Sequence, residues 1–381
     1  MVCADKSDAN PRFRELTGNI VFPGFTAPKL KWVSAHEPDV FAKVAKVLLP
    51  KDFLTYWLTG GDSADMSDSA GTSWLDVKTR DWSDELLEAT GLSRSHMPKL
   101  FEGSQCVGNL RDDLVQQYGL PKDVQIVAGG GDNAVAACGV GAMSEGSGFV
   151  SLGTSGVILA ARDGFTPKAE SAVHTFCHAV PNQWYQMGVV LAATDCLNWL
   201  SGITGQSPAQ LTHDLGHDLR PPSPIQFYPY LSGERTPHND SAVRAGFLGL
   251  DVASGRTDMT MAVLQGVCFA LRDSLEALRS TGATLDSVLA IGGGTQSRYW
   301  IEMLATVLNL PLELPVQGDF GAALGAARLA ICGVTGAKVT EVMTKPEIAE
   351  VIMPNAALVA AYQERYDQFR NSFASWKSMQ C

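Results

Sequence analysis

Short apolar runs in this chain alternate with glycine turns and with longer helical patterns. The run Val124 to Ala128 leads into glycines 129–131, then Asp132 and Asn133, and then small residues. This order predicts a strand, a tight turn and a helix. The same order of apolar run, triple glycine and helical pattern returns at residues 288–308.

Two further apolar runs flank a turn made only of glycine and hydroxyl residues. The runs are Phe149 to Leu152 and Val157 to Ala160, and the turn is Gly153-Thr154-Ser155-Gly156. Because the runs are short and the turn residues are small, this pattern predicts a β-hairpin.

Helical spacing of apolar residues occupies much of the remaining chain. It predicts an amphipathic helical pair from Ala27 to Leu49, broken at His36-Glu37-Pro38, and a long buried helix from Met259 to Ser280. Trp184 to Val190 predicts a strand that feeds a helix from Leu191 to Ser201. The mixture of strands and helices indicates the α/β class.

The residue types at the first two glycine turns suit transfer of a phosphoryl group to a hydroxyl. Asp132, at the carboxyl end of a predicted strand, can accept the proton of an attacking alcohol. Backbone N–H groups and hydroxyls in the turn at 153–156 can hold phosphate oxygens. Taken locally, three glycines after a strand fit a simple tight turn equally well.

A dinucleotide-binding fold competes for the first glycine turn. Gly129, Gly131 and Ala134 nearly satisfy the fingerprint that follows a strand and opens a helix. Asp132, however, would place an anion among the donors meant for the pyrophosphate, and the ribose-binding acid expected about twenty residues further on is absent. These features disfavour a dehydrogenase.

Composition and charge set the class of partner. The chain has 381 residues, 45% hydrophobic and 18% charged, which is ordinary for a globular protein of two domains. Its formal net charge of −11 argues against nucleic acid and anionic membranes as partners, since both favour a basic face. A sugar substrate does not require a basic face.

The eight cysteines show no metal-ligand spacing, which favours a reduced, cytoplasmic protein over a disulfide scaffold. The first residues are polar and carry both charge signs, so no signal peptide is recognised. No apolar run approaches the roughly 18–20 residues of a membrane span.

Three polar clusters have a structural reading beside a functional one. The first is an acidic cluster of Asp62, Asp65, Asp68 and Asp76. It lacks the spacing of an EF-hand loop, so Asx and Ser turns explain it better.

His213 and His217, four residues apart, would share a helical face, but without an evident third ligand a solvated face is favoured over a metal site. The loop Ser232 to His238 fits a cleft wall or a structural Glu234–Arg235 pair equally.

GGGDNA at 129–134, followed by SLGTSG at 151–156, makes the sequence resemble the FGGY family of carbohydrate kinases. Further motifs agree in order: GFTAPKLKW at 24–32, KDFLTYWLTG at 51–60, MSDSAGTSWLDV at 66–77, YLSGERTPHND at 230–240, IGGGTQSRYW at 291–300 and GAALGAARLA at 321–330. The resemblance covers nearly the whole chain.

The resemblance implies an actin-like ATPase, or ribonuclease H-like, two-lobe kinase fold, and the duplication at 124–142 and 288–308 fits such a pair of lobes. We expect a sugar-binding N-terminal domain at 1–146 and a nucleotide-binding C-terminal domain at 147–381. The family's opening glycine-rich phosphate hairpin and part of its sugar-binding tract have no counterpart here. We therefore expect the first lobe to be N-terminally truncated.

The resemblance is strongest to family members that phosphorylate D-xylulose. It implies transfer of the γ-phosphoryl group of ATP to the 5-hydroxyl of this sugar, with Mg²⁺ on the nucleotide and a homodimer as one possible assembly. Another ketose or polyol as substrate, or a catalytically silent nucleotide-binding remnant, remain open alternatives.

The resemblance also assigns roles to individual residues. Asp132 would be the general base and Asn133 would orient the sugar, while glycines 129–131 would let the carboxylate approach it. The implied ATP-binding residues are Gly153, Thr154 and Ser155 at the phosphates, Gly292, Gly293, Gly294 and Ser297 at the nucleoside, and Thr194 and Asn198 at its edge.

Overall fold

The computed structural model describes residues 10–316 and 321–380. The strands are β1 Ser63–Asp65, β2 Leu75–Asp76, β3 Asp81–Trp82, β4 Lys99–Phe101, β5 Cys106–Asn109, β6 Gln125–Val127, β7 Gly148–Leu152, β8 Gly156–Arg162, β9 His174–Cys177, β10 Trp184–Val190, β11 Gln226–Tyr228, β12 Gly246–Leu248, β13 Val288–Ile291, β14 Leu312–Pro315 and β15 Ile348–Ile352.

The α-helices are α1 Pro11–Thr17, α2 Thr26–His36, α3 Pro38–Phe41, α4 Pro50–Thr59, α5 Met66–Ser69, α6 Asp84–Glu88, α7 Asp112–Tyr118, α8 Asp132–Val140, α9 Thr194–Thr204, α10 Pro208–His213, α11 Arg256–Arg279, α12 Arg298–Leu308, α13 Ala322–Thr335, α14 Val339–Val342 and α15 Val359–Ser378. None of the helices in these described ranges is both long and apolar enough to cross a membrane.

A seven-stranded mixed sheet in the order β15-β14-β13-β7-β8-β10-β9 forms the centre of the molecule. Strand β13 runs parallel to both β7 and β14, and the other neighbours are antiparallel. The predicted hairpin is confirmed, because β7 pairs with β8 and Leu152 lies opposite Gly156.

Both faces of this sheet are buried. Phe149 and Leu159 belong to one hydrophobic cluster, which also contains Trp74, whereas their neighbours Val150 and Ile158 belong to a second cluster on the opposite face. Successive side chains on a strand point to opposite faces, so this alternation shows a sheet covered on both sides. Within the described part of residues 1–146, strands pair only two at a time.

The two predicted strand–glycine–helix units are confirmed. Strand β6 leads through glycines 129–131 to α8, and β13 leads through glycines 292–294 to a short 3₁₀ turn and α12. Gly129 has φ of 75° and Gly292 has φ of 93°. These values are strained for residues with a Cβ, which explains glycine at both places.

The predicted helical pair from Ala27 to Leu49 is partly wrong. It breaks at residues 36–38 as expected, but its second helix is the single turn α3, and residues 42–49 are not helical. The N–H of Val47 donates to the carbonyl of His96, and Leu49 is extended before Pro50. Pairing with another segment and the restriction before proline therefore override helical spacing.

The helix that carries Asp132 packs unusually closely on α13. A Cβ added to Gly325 would lie 1.7 Å from the carbonyl oxygen of Val135. At the other end of α8, the guanidinium of Arg328 donates to the carbonyls of Cys138 and Gly139 at 3.0 and 2.7 Å. Gly325 thus permits the close contact, and Arg328 supplies hydrogen bonds to the carbonyls at the end of α8.

Gly325→Ala is expected to push α8 and α13 apart and to lower the free energy of unfolding by about 1–3 kcal/mol, as overpacking does. Urea unfolding measures this change. Gly202→Ala is the matched control, because a Cβ at this glycine in α9 meets open space, and better helix propensity should raise stability by up to ~1 kcal/mol. Equal effects of the two variants would contradict the close contact.

Candidate active site

The first glycine turn presents an exposed carboxylate at the beginning of a helix. Asp132 is the first residue of α8, and its Oδ1 accepts hydrogen bonds from the backbone N–H of Asn133 at 2.6 Å and from the Asn133 side-chain amide at 2.9 Å. A carboxylate in this position is stabilised by the helix dipole. Asn133 therefore holds Asp132 in place directly.

The second glycine turn, residues 153–155, is fixed by the segment that precedes α9. The backbone N–H and the hydroxyl of Thr194 both donate to the carbonyl of Gly153, at 2.9 and 2.8 Å, and Ala193 N–H donates to Thr154 O at 2.8 Å. The side chains of Thr154 and Ser155 remain exposed. Because Ala193 and Thr194 make these contacts, α9 begins at Thr194 and not at the predicted Leu191.

The third glycine turn lies against the second. A Cβ at Gly292 would come within 2.7 Å of Leu152 O, and one at Gly294 would come within 2.8 Å of Leu152 Cβ and 3.3 Å of Thr194 Cγ2. Gly293 differs, since a Cβ there meets no atom within 4 Å. The structure thus brings Gly153, Thr194 and the second triple glycine together.

A cavity of about 580 Å³ opens beside this junction. Five of the residues predicted to bind ATP line it: Thr194, Asn198, Gly293, Gly294 and Ser297. Its volume is in the range of small-molecule sites. Within the described residues, the lining does not include Asp132, Asn133, the turn 153–155 or Gly292.

Ser297 has a structural bond of its own. Its hydroxyl accepts from the N–H of Trp300 at 3.3 Å and caps α12. Because a hydroxyl can donate while it accepts, this cap leaves the predicted contact with the nucleoside possible. The role of Ser297 toward a nucleotide stays a prediction.

Sequence reasoning missed the other wall of the cavity. The missed lining residues are Leu197, Pro208, Ala209, Thr212, His213, Gly216, His217, Gln296, Arg298, Tyr299 and Trp300. Six of them come from residues 207–224. No local motif links this segment to the glycine turns, since only tertiary folding brings them together.

The shared helical face of His213 and His217 is not observed. Helix α10 ends at His213, and Gly216 adopts a positive φ of 87°, so the chain turns before His217. Both residues are exposed and line the cavity, so the predicted solvent exposure is confirmed while the shared helical face is wrong. Among the described residues, no group of three or more His, Cys, Asp or Glu residues could hold a metal ion.

Glu234 is a buried carboxyl behind the second glycine turn. Its Oε1 accepts from Leu191 N–H at 3.0 Å and from Arg235 N–H at 2.7 Å, and Leu191 O in turn accepts from the Ser155 hydroxyl at 3.2 Å. The side chain is 2% exposed, and burial raises its pKa to about 8. These contacts favour the structural reading of Glu234, while Arg235 lies over the Phe22 ring at 4.7 Å.

Two of the four residues in the acidic cluster, Asp65 and Asp76, follow its structural reading. Asp76 Oδ1 accepts from the N–H groups of Lys78 and Thr79, and Asp65 Oδ2 accepts from those of Ser67 and Asp68. These are the predicted Asx turns.

The mixed sheet, the two strand–glycine–helix units and the cavity beside the second and third glycine turns define an actin-like ATPase fold built for phosphoryl transfer. The family model described as "FGGY family of carbohydrate kinases, N-terminal domain" matches residues 1–139, and its C-terminal counterpart matches 148–334. The chain belongs to the FGGY family of carbohydrate kinases. The division at 146/147 stays a prediction.

Xylulose kinases are among the similar proteins. The chain is 46% identical over 366 residues to the xylulose kinase of Escherichia coli K12, covering 95% of this chain and 75% of that protein. Its structure matches a xyloylose kinase from Brucella ovis with a TM-score of 0.96 and 52% identity, covering 99% of this chain and 78% of that one. A ligand-bound xylulose kinase from Lactobacillus acidophilus matches with a TM-score of 0.90 at 25% identity, over 99% and 78%.

The raised pKa of Glu234 predicts a dependence of stability on pH. Between its ordinary value of 4.5 and about 8, the folded protein keeps the proton while the unfolded chain loses it, so folding stability falls as pH rises. One such proton contributes at most about 1.4 kcal/mol per pH unit. Glu234→Gln cannot titrate, so its urea unfolding free energy should fall less between pH 5 and pH 8. Parallel wild-type and variant curves would contradict a neutral Glu234.

Proposed function

We propose that this chain transfers the γ-phosphoryl group of ATP to the 5-hydroxyl of D-xylulose, giving D-xylulose 5-phosphate. We infer the reaction type from the exposed Asp132 carboxylate, which Asn133 holds where a glycine turn meets a helix. The choice of sugar rests on the similar xylulose kinases, of which the chain covers about three quarters.

In this proposal, Asp132 accepts the proton of the sugar hydroxyl as the oxygen attacks the γ-phosphorus, and Asn133 orients the sugar. The exposed hydroxyls of Thr154 and Ser155, with the N–H groups of their turn, would hold the phosphates. The nucleoside would occupy the 580 Å³ cavity against Gly293. The protein therefore acts through position and electrostatics, which suits phosphoryl transfer.

Mg²⁺ fits this proposal as a companion of the nucleotide. The described residues offer no cluster of three metal ligands, and magnesium commonly keeps substrate phosphates and water among its ligands. Bound with the nucleotide, the ion would neutralise phosphate charge. We also propose that the protein is located in the cytoplasm, where ATP is abundant. We further propose that it forms a homodimer, which sedimentation analysis tests.

A coupled ADP-release assay with D-xylulose, a second pentulose, glycerol and gluconate tests the substrate. D-Xylulose should give the highest kcat/KM. A preference for glycerol or gluconate would overturn the sugar assignment, and no ADP release with any sugar would indicate a silent nucleotide-binding protein.

Asp132→Asn keeps the shape of the side chain and removes its charge, so kcat should fall by at least ~10²-fold, the usual contribution of a general base. Nucleotide affinity, measured by calorimetry, should stay nearly unchanged, because Asp132 lies outside the cavity lining. Asp112→Asn is the matched control, another exposed acid in the first turn of a helix. Near-normal kcat in Asp132→Asn would leave Asp132 as a turn residue only.

Gly293→Val should raise the KM for ATP at least ~10-fold while the KM for the sugar changes little. The branched side chain would enter the cavity, since a Cβ at Gly293 meets no atom within 4 Å. Gly164→Val, also open around its Cβ but outside the cavity lining, is the control. Unchanged ATP kinetics in Gly293→Val would place the nucleotide elsewhere.

A further inference from the structure

A buried hydrogen-bond network lies beneath the first glycine turn. At its centre is Asp65, the last residue of β1, which is fully buried. Its Oδ2 accepts from Ser67 N–H at 2.7 Å, from the Ser67 hydroxyl at 2.5 Å and from Asp68 N–H at 3.2 Å. Asp65 thereby fixes the short helix α5 and the direction of the Ser67 hydroxyl.

The Ser67 hydroxyl connects Asp65 to the turn. Because its hydrogen is donated to Asp65, its oxygen is free to accept, and it accepts from the N–H of Gly131 at 2.9 Å. Gly131 is the N-cap residue of α8 and directly precedes Asp132. The turn also lies close to this hydroxyl, since a Cβ added to Gly130 would be 2.9 Å from Ser67 Oγ.

Lys51 holds the other end of the same turn. Its ammonium group donates to the carbonyl of Ala128 at 3.3 Å, lies 3.0 Å from Asp65 Oδ1, and donates to Asp52 Oδ1 at 2.5 Å. Ala128 is the residue before the triple glycine. The network therefore binds the turn at its entrance, through Ala128, and at its exit, through Gly131.

The charges of the network favour one arrangement. Burial lowers the pKa of Lys51, but the carboxylates of Asp65 and Asp52 outweigh it and raise that pKa above its ordinary value. Lys51 therefore stays charged, and removing it would leave two buried carboxylates without their cation, a strongly destabilising change. The Ser67 hydroxyl, which is neutral, can be removed at much smaller cost.

We propose that Lys51, Asp65 and Ser67 are positioning residues for phosphoryl transfer: they fix both ends of the glycine turn and so aim the Asp132 carboxylate at the acceptor hydroxyl. This inference rests on the proposed function of Asp132 as the general base. The three residues act through the turn. Misplacement of a catalytic group by about 1 Å can cost ~10²-fold in rate.

Ser67→Ala is the test variant, and Ser69→Ala is its matched control. Ser69 is a fully buried serine on the same helix whose hydroxyl has no hydrogen-bond partner. Ser67→Ala should lower kcat roughly 10- to 100-fold and leave the KM for ATP within twofold. Its urea midpoint should lie somewhat below that of Ser69→Ala, because the N–H of Gly131 loses its acceptor. Ser69→Ala should keep wild-type kcat.

A double variant separates positioning from general damage. If Ser67 acts through Asp132, then Ser67→Ala should cost little in the Asp132→Asn background, because the base it positions is gone. An equal loss of kcat in both backgrounds would overturn the inference, as would a Ser67→Ala kcat within twofold of wild type while Asp132→Asn is impaired. Near-normal kcat in Asp132→Asn alone would instead remove the proposed base, a different failure.

Hydrogen exchange gives a readout that does not require turnover. In Ser67→Ala the N–H of Gly131 loses its acceptor, so a peptide covering residues 129–135 should exchange faster than in Ser69→Ala. Identical exchange in the two variants would show that Ser67 does not hold the turn.

Discussion

The contact between α8 and α13 is the constraint on which the arrangement of the site depends. Gly325 lets the two helices approach until a single added Cβ would overlap the Val135 carbonyl, and Arg328 satisfies carbonyls at the far end of α8. Asp132 lies at the near end of the same helix. Any shift of α8 along α13 would therefore move the carboxylate relative to the large sheet and its glycine turns.

The backbone N–H and C=O groups of a glycine turn need hydrogen-bond partners from elsewhere in the protein, because they are not paired within a helix or a sheet. In this protein a buried carboxyl group supplies them on each side. Asp65 reaches the first turn through Ser67, and Glu234 reaches the second through Leu191 and its contact with Ser155. The two differ in charge balance, since Lys51 stands 3.0 Å from Asp65, whereas burial leaves Glu234 with a pKa of about 8.

The sequence predicted those parts of the fold that follow from local spacing. The hairpin of β7 and β8 and the two strand–glycine–helix units depend on residues within about ten positions, and apolar runs bounded by glycine indicate them. The prediction that the second helix continues to Leu49 was wrong because the backbone N–H of Val47 bonds to His96, a residue far along the chain. Periodicity carries no information about such pairing.

The candidate site divides in the same way. Gly293, Gly294 and Ser297 belong to a recognised motif, and they line one cavity together with Thr194 and Asn198, which lie outside the motifs. His213 and His217 were missed there because only tertiary folding brings their segment to the cavity wall, and the chain turns at Gly216 between them. The sequence places Glu234 in a charged loop that fits a cleft wall or a structural role equally, and only its burial favours the structural role.

The supports of the two turns also explain why polar residues occupy a core that apolar residues would fill at less cost. Leucine in place of Asp65 could fill space, but it would leave the N–H groups of Ser67 and Asp68 without an acceptor and would take one of its two carboxylate partners from Lys51. Each unsatisfied buried group costs about 1–3 kcal/mol, more when it is charged. A buried carboxylate therefore holds this turn, whose own residues must stay glycine, at a lower free-energy cost, and the resulting rigidity reaches Asp132 through the N–H of Gly131 and the carbonyl of Ala128.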